Sequence, residues 1–345
     1  MTKERGVTLA VLAFNQEHTI AEAVHAAFWQ DYNNLEIMLS DDCSGDRTYE
    51  VMARIAANYE GPHEVLLSRN TVNVGLVGHV NQVLEMASNE LVVFNAGDDV
   101  SLPHRVTTLA RAFYERDPRP LLVHSHAIPF TGDGSFSVMA RSEGFQSQPI
   151  LKIAKQMTFY VGPTAAVSKE MYRIYGPLDP SGLAEDTSLG FRAALLGRLA
   201  SIEQPLLRYR LGEGLTSSTN RFTYAPLRVI ISEKNDVYRV YVSTFIQRLR
   251  DLRRVGDVIG PTAFQSLLRE INRQLLRAKI WQRSSASLAR LSVDRSVSGV
   301  GKVRKLSVRE GLLLVRYLVI WLRRAILFTF SRKPSRQGDS LVDSL

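Results

Sequence analysis

In the first half of the chain, short apolar runs alternate regularly with helix-like stretches, and few folds are compatible with such an order. Strand-like runs at 7–14, 35–40, 64–68, 91–95 and 121–125 alternate with helix-like stretches at 20–28, 49–59, 76–87 and 103–115. This order predicts an α/β protein with a mostly parallel sheet covered by helices on both faces. Pro103 is expected to open the last of these helices.

The sequence changes character after the fifth strand-like run. From Ala127 to Pro149 it is rich in Gly, Ser, Phe and Thr, which predicts an irregular or hairpin excursion that could serve as a lid or acceptor loop. Helices are predicted at 168–175 and 186–196, and short strands at 199–202 and 206–210. After Ser217 the pattern is almost wholly helical.

Polar residues follow each of the first four predicted strands. They are Asn15 and Glu17, then Asp41 to Asp46, then Arg69, Asn70, Asn73 and Gly75, and finally Gly97, Asp98 and Asp99. Ligands of open α/β sheets bind beyond the carboxyl ends of the strands, so these residues are candidates for one site. The chain has neither a G-x-G-x-x-G nor a G-x-x-x-x-G-K-[ST] motif, so neither a dinucleotide site nor a P-loop is predicted.

Two adjacent carboxylates, Asp98 and Asp99, follow the fourth strand. Such a pair offers hard oxygen ligands to Mg²⁺ or Mn²⁺, which would carry the phosphates of a substrate. The alternative is that one of them only caps the helix entered at Pro103. The same alternative applies to Asp41 and Asp42, because aspartates are common at turns and helix starts.

The order of these motifs resembles the family 2 glycosyltransferases and their GT-A fold over about residues 6–218. The matching motifs are Asn15-Gln16-Glu17, Asp41 to Asp46, Asn73-Val74-Gly75 with Asn81, the acids Asp98-Asp99, Glu185-Asp186 with Arg192, and Tyr209-Arg210. The resemblance implies that Asp41 reads the nucleotide base and that Asp98 is the principal metal-binding acid. It also implies that Asp186, beside Glu185, is the catalytic base. The alternative for Glu185-Asp186 is a plain helix start with favourable charge placement.

The resemblance implies three groups of site residues. The donor site would contain Ala13, Asn15, Glu17, Asp41, Arg69, Asn73, Gly75 and Asp98; the metal would be held by Asp98 and Asp99; the acceptor side would contain Gly162, Thr164, Arg192 and Arg210. The chain departs from the family pattern at Ala96, where the first acid of the metal motif is expected. It also has no histidine after Tyr209-Arg210, so none in that region can serve the metal.

The function that the resemblance implies is inverting transfer of a sugar from a nucleotide-diphosphate donor to a lipid-linked or growing glycan acceptor in cell-envelope or extracellular glycan synthesis. A UDP- or dTDP-linked donor and a divalent cation, Mg²⁺ or Mn²⁺, are expected. Two alternatives are a catalytically weak nucleotide-sugar-binding protein and a sugar nucleotidyltransferase. The second would need a phosphate loop rich in glycine and lysine after the first strand, which Asn15-Gln16-Glu17-His18 does not provide.

The charge of the chain is divided unevenly. Residues 1–220 carry 18 lysines and arginines against 25 acids, whereas residues 221–345 carry 25 against 9. We therefore expect a GT-A domain at 1–220 and a basic, mostly helical C-terminal region at 221–345. Within it, residues about 303–331 form an amphipathic pattern with an arginine stripe and an apolar face around Trp321.

This amphipathic segment predicts a helix that lies on an anionic membrane surface, and the alternative is that it packs on protein. Nucleic acid is not an expected partner, because the basic region contains no recognisable binding module. The single cysteine, Cys43, excludes an internal disulfide and suits a reducing compartment. No apolar run reaches the roughly 18 residues of a membrane span. These features together predict a cytoplasmic protein, peripheral on the inner face of the cell membrane.

Overall fold

The computed structural model describes residues 5–131, 149–157, 159–182, 184–211 and 227–297, and the single positions 312, 313, 315 and 317. The strands are β1 (Val7–Ala13), β2 (Leu35–Asp41), β3 (Glu64–Arg69), β4 (Leu91–Ala96), β5 (Val100–Ser101), β6 (Leu122–Phe130), β7 (Ala165–Ser168) and β8 (Leu199–Arg210). The helices are α1 (Ile20–Phe28), α2 (Thr48–Ala57), α3 (Gly75–Met86), α4 (Arg105–Tyr114), α5 (Ile150–Ile153), α6 (Lys169–Tyr175), α7 (Glu185–Leu195), α8 (Leu227–Arg254), α9 (Gly256–Ile259) and α10 (Pro261–Val297). A 3₁₀ turn covers Gly162–Thr164.

One mixed sheet joins all the described strands in the order β3-β2-β1-β4-β7-β6-β8-β5. Strands β1 to β4 are parallel, as the alternating sequence pattern predicts. Strand β7 runs antiparallel to both β4 and β6. Because β7 runs in the opposite direction to β4, the turn that precedes it lies at the carboxyl edge of β4.

Both faces of the sheet are buried, which explains the nearly continuous apolar runs of its inner strands. In β1, Ala10 and Leu12 belong to the apolar cluster on one face, and Leu9 and Val11 to the cluster on the other. A strand of this kind has no solvent-facing side on which polar residues could alternate. The sheet is therefore a rigid support for the loops at its carboxyl edge.

Four details of the predicted elements are wrong. Residues 127–130 continue strand β6, and the rest of the predicted excursion, at 132–148, lies outside the described residues. The strands predicted at 199–202 and 206–210 are one strand, β8, with a register irregularity opposite Pro205. A proline has no N–H to donate, so it interrupts the pattern without ending the strand. Helix α4 begins at Arg105, after a turn that contains Pro103, and the short strands β5 and β7 were not predicted.

The chain divides into two compact units, one formed by residues 1–218 with 240–278 and the other by residues 219–239 with 279–345. In the first unit, apolar side chains of α8 and α10 join the core cluster on one face of the sheet. They are Phe245, Leu249, Leu252, Val255, Leu267, Ile271, Leu275 and Ala278. The helical character predicted after Ser217 is present at 227–297, and residues 240–278 are part of the same core as the sheet.

The amphipathic segment predicted at 303–331 lies outside the described residues except at four helical positions. Leu313 and Tyr317 are buried there, and Leu312 and Val315 are exposed. In the same unit the Tyr317 hydroxyl donates to Ser285 Oγ at 3.2 Å. None of the described helices combines the length and the apolar character that crossing a membrane requires.

Candidate active site

A cavity of about 450 Å³ opens at the carboxyl edge of the sheet. Of the predicted site residues, eight line it: Ala13, Asn73, Gly75, Asp98, Asp99, Gly162, Glu185 and Asp186. The structure thus brings together residues from the ends of β1 and β4, the start of α3, the turn before β7 and the start of α7. Polar groups that converge in one large, mostly apolar cavity are the usual mark of a ligand site.

The ends of the parallel strands are tied to one another by backbone hydrogen bonds. The amide of Asp42 donates to Ala13 O at 2.9 Å, that of Asn70 to Asp41 O at 2.8 Å, and that of Gly97 to Leu12 O at 2.9 Å. These bonds continue the sheet for one residue beyond each strand. They hold the loops that carry the polar residues in fixed register.

Asp42, which lines the cavity, organises the loop between β3 and α3. Its carboxylate accepts from Asn70 Nδ2 at 2.8 Å, Val74 N at 3.0 Å and Gly75 N at 2.9 Å. Gly75 has a φ of 74°, a conformation that glycine adopts at little cost. Asp42 therefore fixes the backbone of the loop that places Asn73 and Gly75 at the cavity.

Asp41 is fully buried and is not among the residues that line the cavity. Its carboxylate accepts from the amide and hydroxyl of Ser44 and lies 3.3 Å from Arg69 Nε. The Arg69 guanidinium also donates to Ser44 O at 2.8 Å and stacks over the ring of Tyr49. Asp41 and Arg69, which were predicted to lie in the donor site, therefore stabilise the loop after β2.

Asn15 and Glu17 hold that same loop from the other side and do not line the cavity. Asn15 has a positive φ of 52°, and its Oδ1 accepts from Gly45 N at 2.8 Å. Glu17 pairs with Arg47 at 3.0 Å. The arginine lowers the pKa of Glu17, so this carboxylate is ionised at neutral pH.

The two predicted metal acids differ in their surroundings. Both are buried and both line the cavity. Asp99 Oδ1 accepts from the amide of Arg210 at 2.8 Å, and its Oδ2 is buried without a hydrogen-bond partner among the described residues. Burial and the adjacent Asp98 raise the pKa of Asp99 well above its usual range. A nearby cation would lower that pKa and would satisfy the unpartnered oxygen.

The donor set fits a divalent cation that also binds substrate phosphates. Within the described part of the chain, no three His, Cys, Asp or Glu side chains come together as metal ligands. Ala96 supplies no ligand where the family pattern has an acid. Magnesium is often held by one or two carboxylates with substrate phosphates and water completing its shell, so Asp98 and Asp99 are sufficient on the protein side.

Glu185 and Asp186 form the first turn of α7 and face the cavity. The amide of Thr187 donates to Asp186 Oδ1 at 2.7 Å. Burial raises the pKa of both carboxyl groups, and the neighbouring Asp186 raises that of Glu185 further. A carboxylate with a raised pKa is a stronger base than an ordinary one, which suits it to accept a proton near neutral pH.

Gly162 leaves the space that the Glu185 side chain occupies. A Cβ added at Gly162 would lie 2.8 Å from Glu185 Oε1, closer than real Cβ contacts. The 3₁₀ turn that contains Gly162 therefore packs directly against the first turn of α7. This contact sets where the Glu185 carboxyl lies in the cavity.

The other residues predicted on the acceptor side do not line the cavity. Thr164 is buried, and its hydroxyl donates to Val161 O at 2.7 Å within the turn. Arg192 is buried in an ion pair with Asp251. Arg210 pairs with Glu22 and donates from Nε to Asp98 O at 3.0 Å, so it contacts the backbone of the metal acids.

The structure adds cavity residues that sequence reasoning missed. Most are apolar or aromatic: Leu12, Phe14, Leu76, Val80, Phe94, Tyr160, Val161, Pro163, Leu189 and Tyr209. Gln16 and His79 are polar additions.

His79 is buried with Nε2 2.7 Å from Ser40 Oγ, and burial lowers its pKa, so it is neutral. Tyr160 stacks on His124 with ring centroids 5.5 Å apart. Gln16 and Tyr209 stand inside motifs, but the apolar residues read as ordinary core.

Comparison with known proteins agrees with this architecture. Residues 8–176 match the family described as Glycosyl transferase family 2. An uncharacterised glycosyltransferase, alr2836 of Nostoc, is 22% identical over 305 residues, which cover 86% of this chain and 87% of that protein. The mannosyltransferase PcManGT of Pyrobaculum calidifontis, solved with GDP-Man and Mn²⁺, has the same fold. It is 19% identical, with a TM-score of 0.55 over 96% of this chain and 89% of that one.

A third relative has a named reaction. The Escherichia coli enzyme WfaP, a UDP-Glc:alpha-D-GlcNAc-diphosphoundecaprenol beta-1,3-glucosyltransferase, is 29% identical over 93 residues. That alignment covers 27% of this chain and only 35% of WfaP. The chain thus spans about a third of the length of several relatives that it matches. The matched segment contains the first four strands of the sheet and the predicted metal acids, and the chain therefore contains a glycosyl transferase family 2 domain.

Proposed function

We propose that this protein is an inverting glycosyltransferase that moves a sugar from a nucleoside diphosphate to a lipid-linked or growing glycan acceptor. The observation that carries the proposal is the position of Asp186 in the same cavity as Asp98 and Asp99. A base and an acid pair that can hold a phosphate-binding cation, facing one cavity, match the needs of a direct displacement. WfaP, which by its name uses UDP-Glc and a diphosphoundecaprenol-linked acceptor, supports the choice of substrate class.

In the proposed reaction, Asp186 accepts the proton of an acceptor hydroxyl as its oxygen attacks the anomeric carbon of the sugar. The new carbon–oxygen bond forms on the face opposite the leaving group, so the configuration inverts. The bond between the anomeric carbon and the diphosphate breaks, and its electron pair stays on the phosphate oxygen. The raised pKa of Asp186 favours this proton transfer.

A divalent cation, Mg²⁺ or Mn²⁺, is the proposed cofactor, held by Asp98 with Asp99 beside it. When bound, such an ion supplies positive charge that stabilises the departing diphosphate. The fixed loop of Asn73 and Gly75 and the end of β1 at Ala13 would hold the nucleoside. We propose UDP or dTDP as its nucleotide.

A panel of nucleotides tests the donor site. Melting temperatures of the purified protein would be measured with UDP, dTDP, GDP, CMP and ATP, each with and without Mn²⁺, because a ligand that binds the folded state stabilises it. A shift with one pyrimidine diphosphate that grows with Mn²⁺ supports the proposal. If a nucleoside triphosphate together with a sugar phosphate stabilised the protein, a nucleotidyltransferase would be favoured. If the protein bound UDP-sugars but released no UDP from them, a binding protein would be favoured.

We also propose that the segment at 303–331 binds the anionic inner surface of the cell membrane. Its exposed apolar positions, Leu312 and Val315, and its basic composition support this proposal. Each basic residue near an anionic surface contributes about 1 kcal/mol. The full-length variant R316E/R323E should therefore bind phosphatidylglycerol vesicles more weakly than the wild type. Equal binding of both proteins would refute membrane docking through this segment.

A further inference from the structure

Arg105, at the start of α4, is fully buried although it is charged. Its hydrogen-bond partners are oxygens of neutral groups on three separate segments of the chain. Burial of a cation is costly unless its donors are satisfied. An apolar side chain would fill the same space at less cost, so the contacts that Arg105 makes need an explanation.

The two terminal nitrogens of Arg105 bridge the end of β4 and the turn before β7. Nη2 donates to Phe94 O at 2.6 Å and to Pro163 O at 2.5 Å. Nη1 donates to Asn95 Oδ1 at 3.1 Å and to Ser101 Oγ at 2.7 Å. The planar guanidinium thus holds two segments at a fixed separation, which is a task that its rigid fork of donors suits.

Each bridged segment carries one part of the site. On the first side, Asn95 Nδ2 donates to Ala96 O at 2.8 Å and to Asp99 O at 3.1 Å, so the network reaches the backbone of the metal acids. On the second side, Pro163 follows Gly162. Because Gly162 has no side chain, Glu185 Oε1 can pack directly against it. Arg105 itself does not line the cavity.

We propose that Arg105 is a positioning residue that fixes the separation between the strand end carrying Asp98 and Asp99 and the turn against which Glu185 packs. Its expected effect on turnover rests on the proposed function. Reacting groups displaced by about 1 Å can lose up to a hundredfold in rate, so loss of this bridge should lower kcat more than it weakens nucleotide binding. None of the Arg105 hydrogen bonds reaches Ala13 or Asn73, which form the proposed nucleoside end of the cavity.

The test compares R105M and R105K with the wild type and with R198M as a matched control. Arg198 also makes several hydrogen bonds, to Glu170 and to Arg119 O, but it is not part of the cavity. Hydrogen exchange would be measured at the amides of Asp99 and Thr164, which donate to Ala96 O at 3.1 Å and Val161 O at 2.8 Å. The core amide of Leu9 reports global opening.

In R105M both loop amides should exchange at least about tenfold faster while Leu9 changes much less, since the opening is local. R105K should recover part of the protection, and R198M should leave both amides unchanged. Unchanged protection in R105M, or equal acceleration at Leu9, would overturn the proposal. This readout does not depend on activity.

The kinetic measurement is release of UDP from UDP-glucose, alongside the dissociation constant for UDP. In R105M we expect kcat to fall about tenfold or more while the UDP dissociation constant changes less than about threefold. An unchanged kcat would contradict the positioning role. A wild-type protein that releases no UDP from any UDP-sugar would instead count against the proposed function, and hydrogen exchange would still decide the role of Arg105.

Discussion

Arg192 and Asp251 form an ion pair in which both side chains are only 1% exposed. The guanidinium donates to Asp251 Oδ2 at 3.0 Å and Oδ1 at 2.9 Å, so the pair is bidentate. It joins α7, which begins with Glu185 and Asp186, to α8, which lies outside the segment that matches the family. A helix of the C-terminal region therefore supports the helix that carries the proposed base.

The first prediction concerns the stability of this pair. D251N leaves the buried Arg192 charge without its partner, and removal of one member of a buried pair typically costs about 3–5 kcal/mol. Urea unfolding would measure the change. As a control, D236N disrupts the exposed pair of Asp236 with Arg239, 3.5 Å apart, and should cost less than about 1 kcal/mol. Equal costs for the two variants would contradict the supporting role of α8.

The second prediction concerns the proposed base. D186N keeps the shape of the side chain but removes its ability to accept a proton, so sugar transfer should fall by about 10²–10⁴-fold. The dissociation constant for UDP should change by less than about threefold, because the proposed nucleoside contacts, at Ala13, Asn73 and Gly75, lie elsewhere in the cavity. Radiolabelled sugar transfer and calorimetry would measure the two quantities. Turnover close to wild type would exclude Asp186 as the base.

The third prediction is a pH dependence of stability. Burial and Asp186 raise the pKa of Glu185 above its usual value of 4.5, so the folded state favours the protonated acid. The associated stability is complete below the usual pKa and is lost as pH rises towards the raised one. E185Q does not titrate, so its melting temperature relative to wild type should rise by about 2 °C or more between pH 5 and pH 8.5.

Glu170 provides a control, because its contribution to stability should depend on pH with the opposite sign. The Arg198 guanidinium holds the pKa of Glu170 below its usual value, so the pair stabilises the fold above that value and loses its effect as pH falls. E170Q should therefore lose more stability at pH 7 than at pH 4. If E185Q and E170Q showed the same pH trend, the assigned direction for one of them would be wrong.

The fourth prediction concerns the metal. D98N removes one of the two carboxylates at the end of β4, so Mn²⁺ should no longer increase the thermal shift produced by UDP. The exposed acid Asp31, which accepts from Thr107, gives a control variant, D31N, that should retain the full Mn²⁺ effect. A Mn²⁺ effect of wild-type size in D98N would mean that other groups hold the ion.

The local sequence pattern was sufficient to predict most of the strands and helices that build the site. Strands β1 to β4 and helices α1 to α3 begin and end within two residues of the predicted positions, because apolar periodicity and polar strand ends are encoded in adjacent residues. The same pattern could not distinguish β8 from two strands, since Pro205 and its polar neighbours interrupt the apolar run. It also missed β7, whose four residues are too few to show a period.

The alternating α/β architecture, the polar strand ends and the order of motifs that indicates the family can all be predicted from residues that are close together in the chain. Which of those residues meet in the cavity depends on how the folded chain packs. Asp42 lines it and Asp41 does not, although the two are adjacent. Asp41 ends β2 and is held by Ser44 and Arg69, whereas the Asp42 carboxylate accepts from the amides of Val74 and Gly75 at the cavity. Nothing in the sequence distinguishes Arg105, and the family motif placed Arg192 on the acceptor side. The contacts of both depend on oxygens supplied by segments 58 and 59 residues away. Hydrogen bonds at such separations depend on how the chain packs, which no local pattern records.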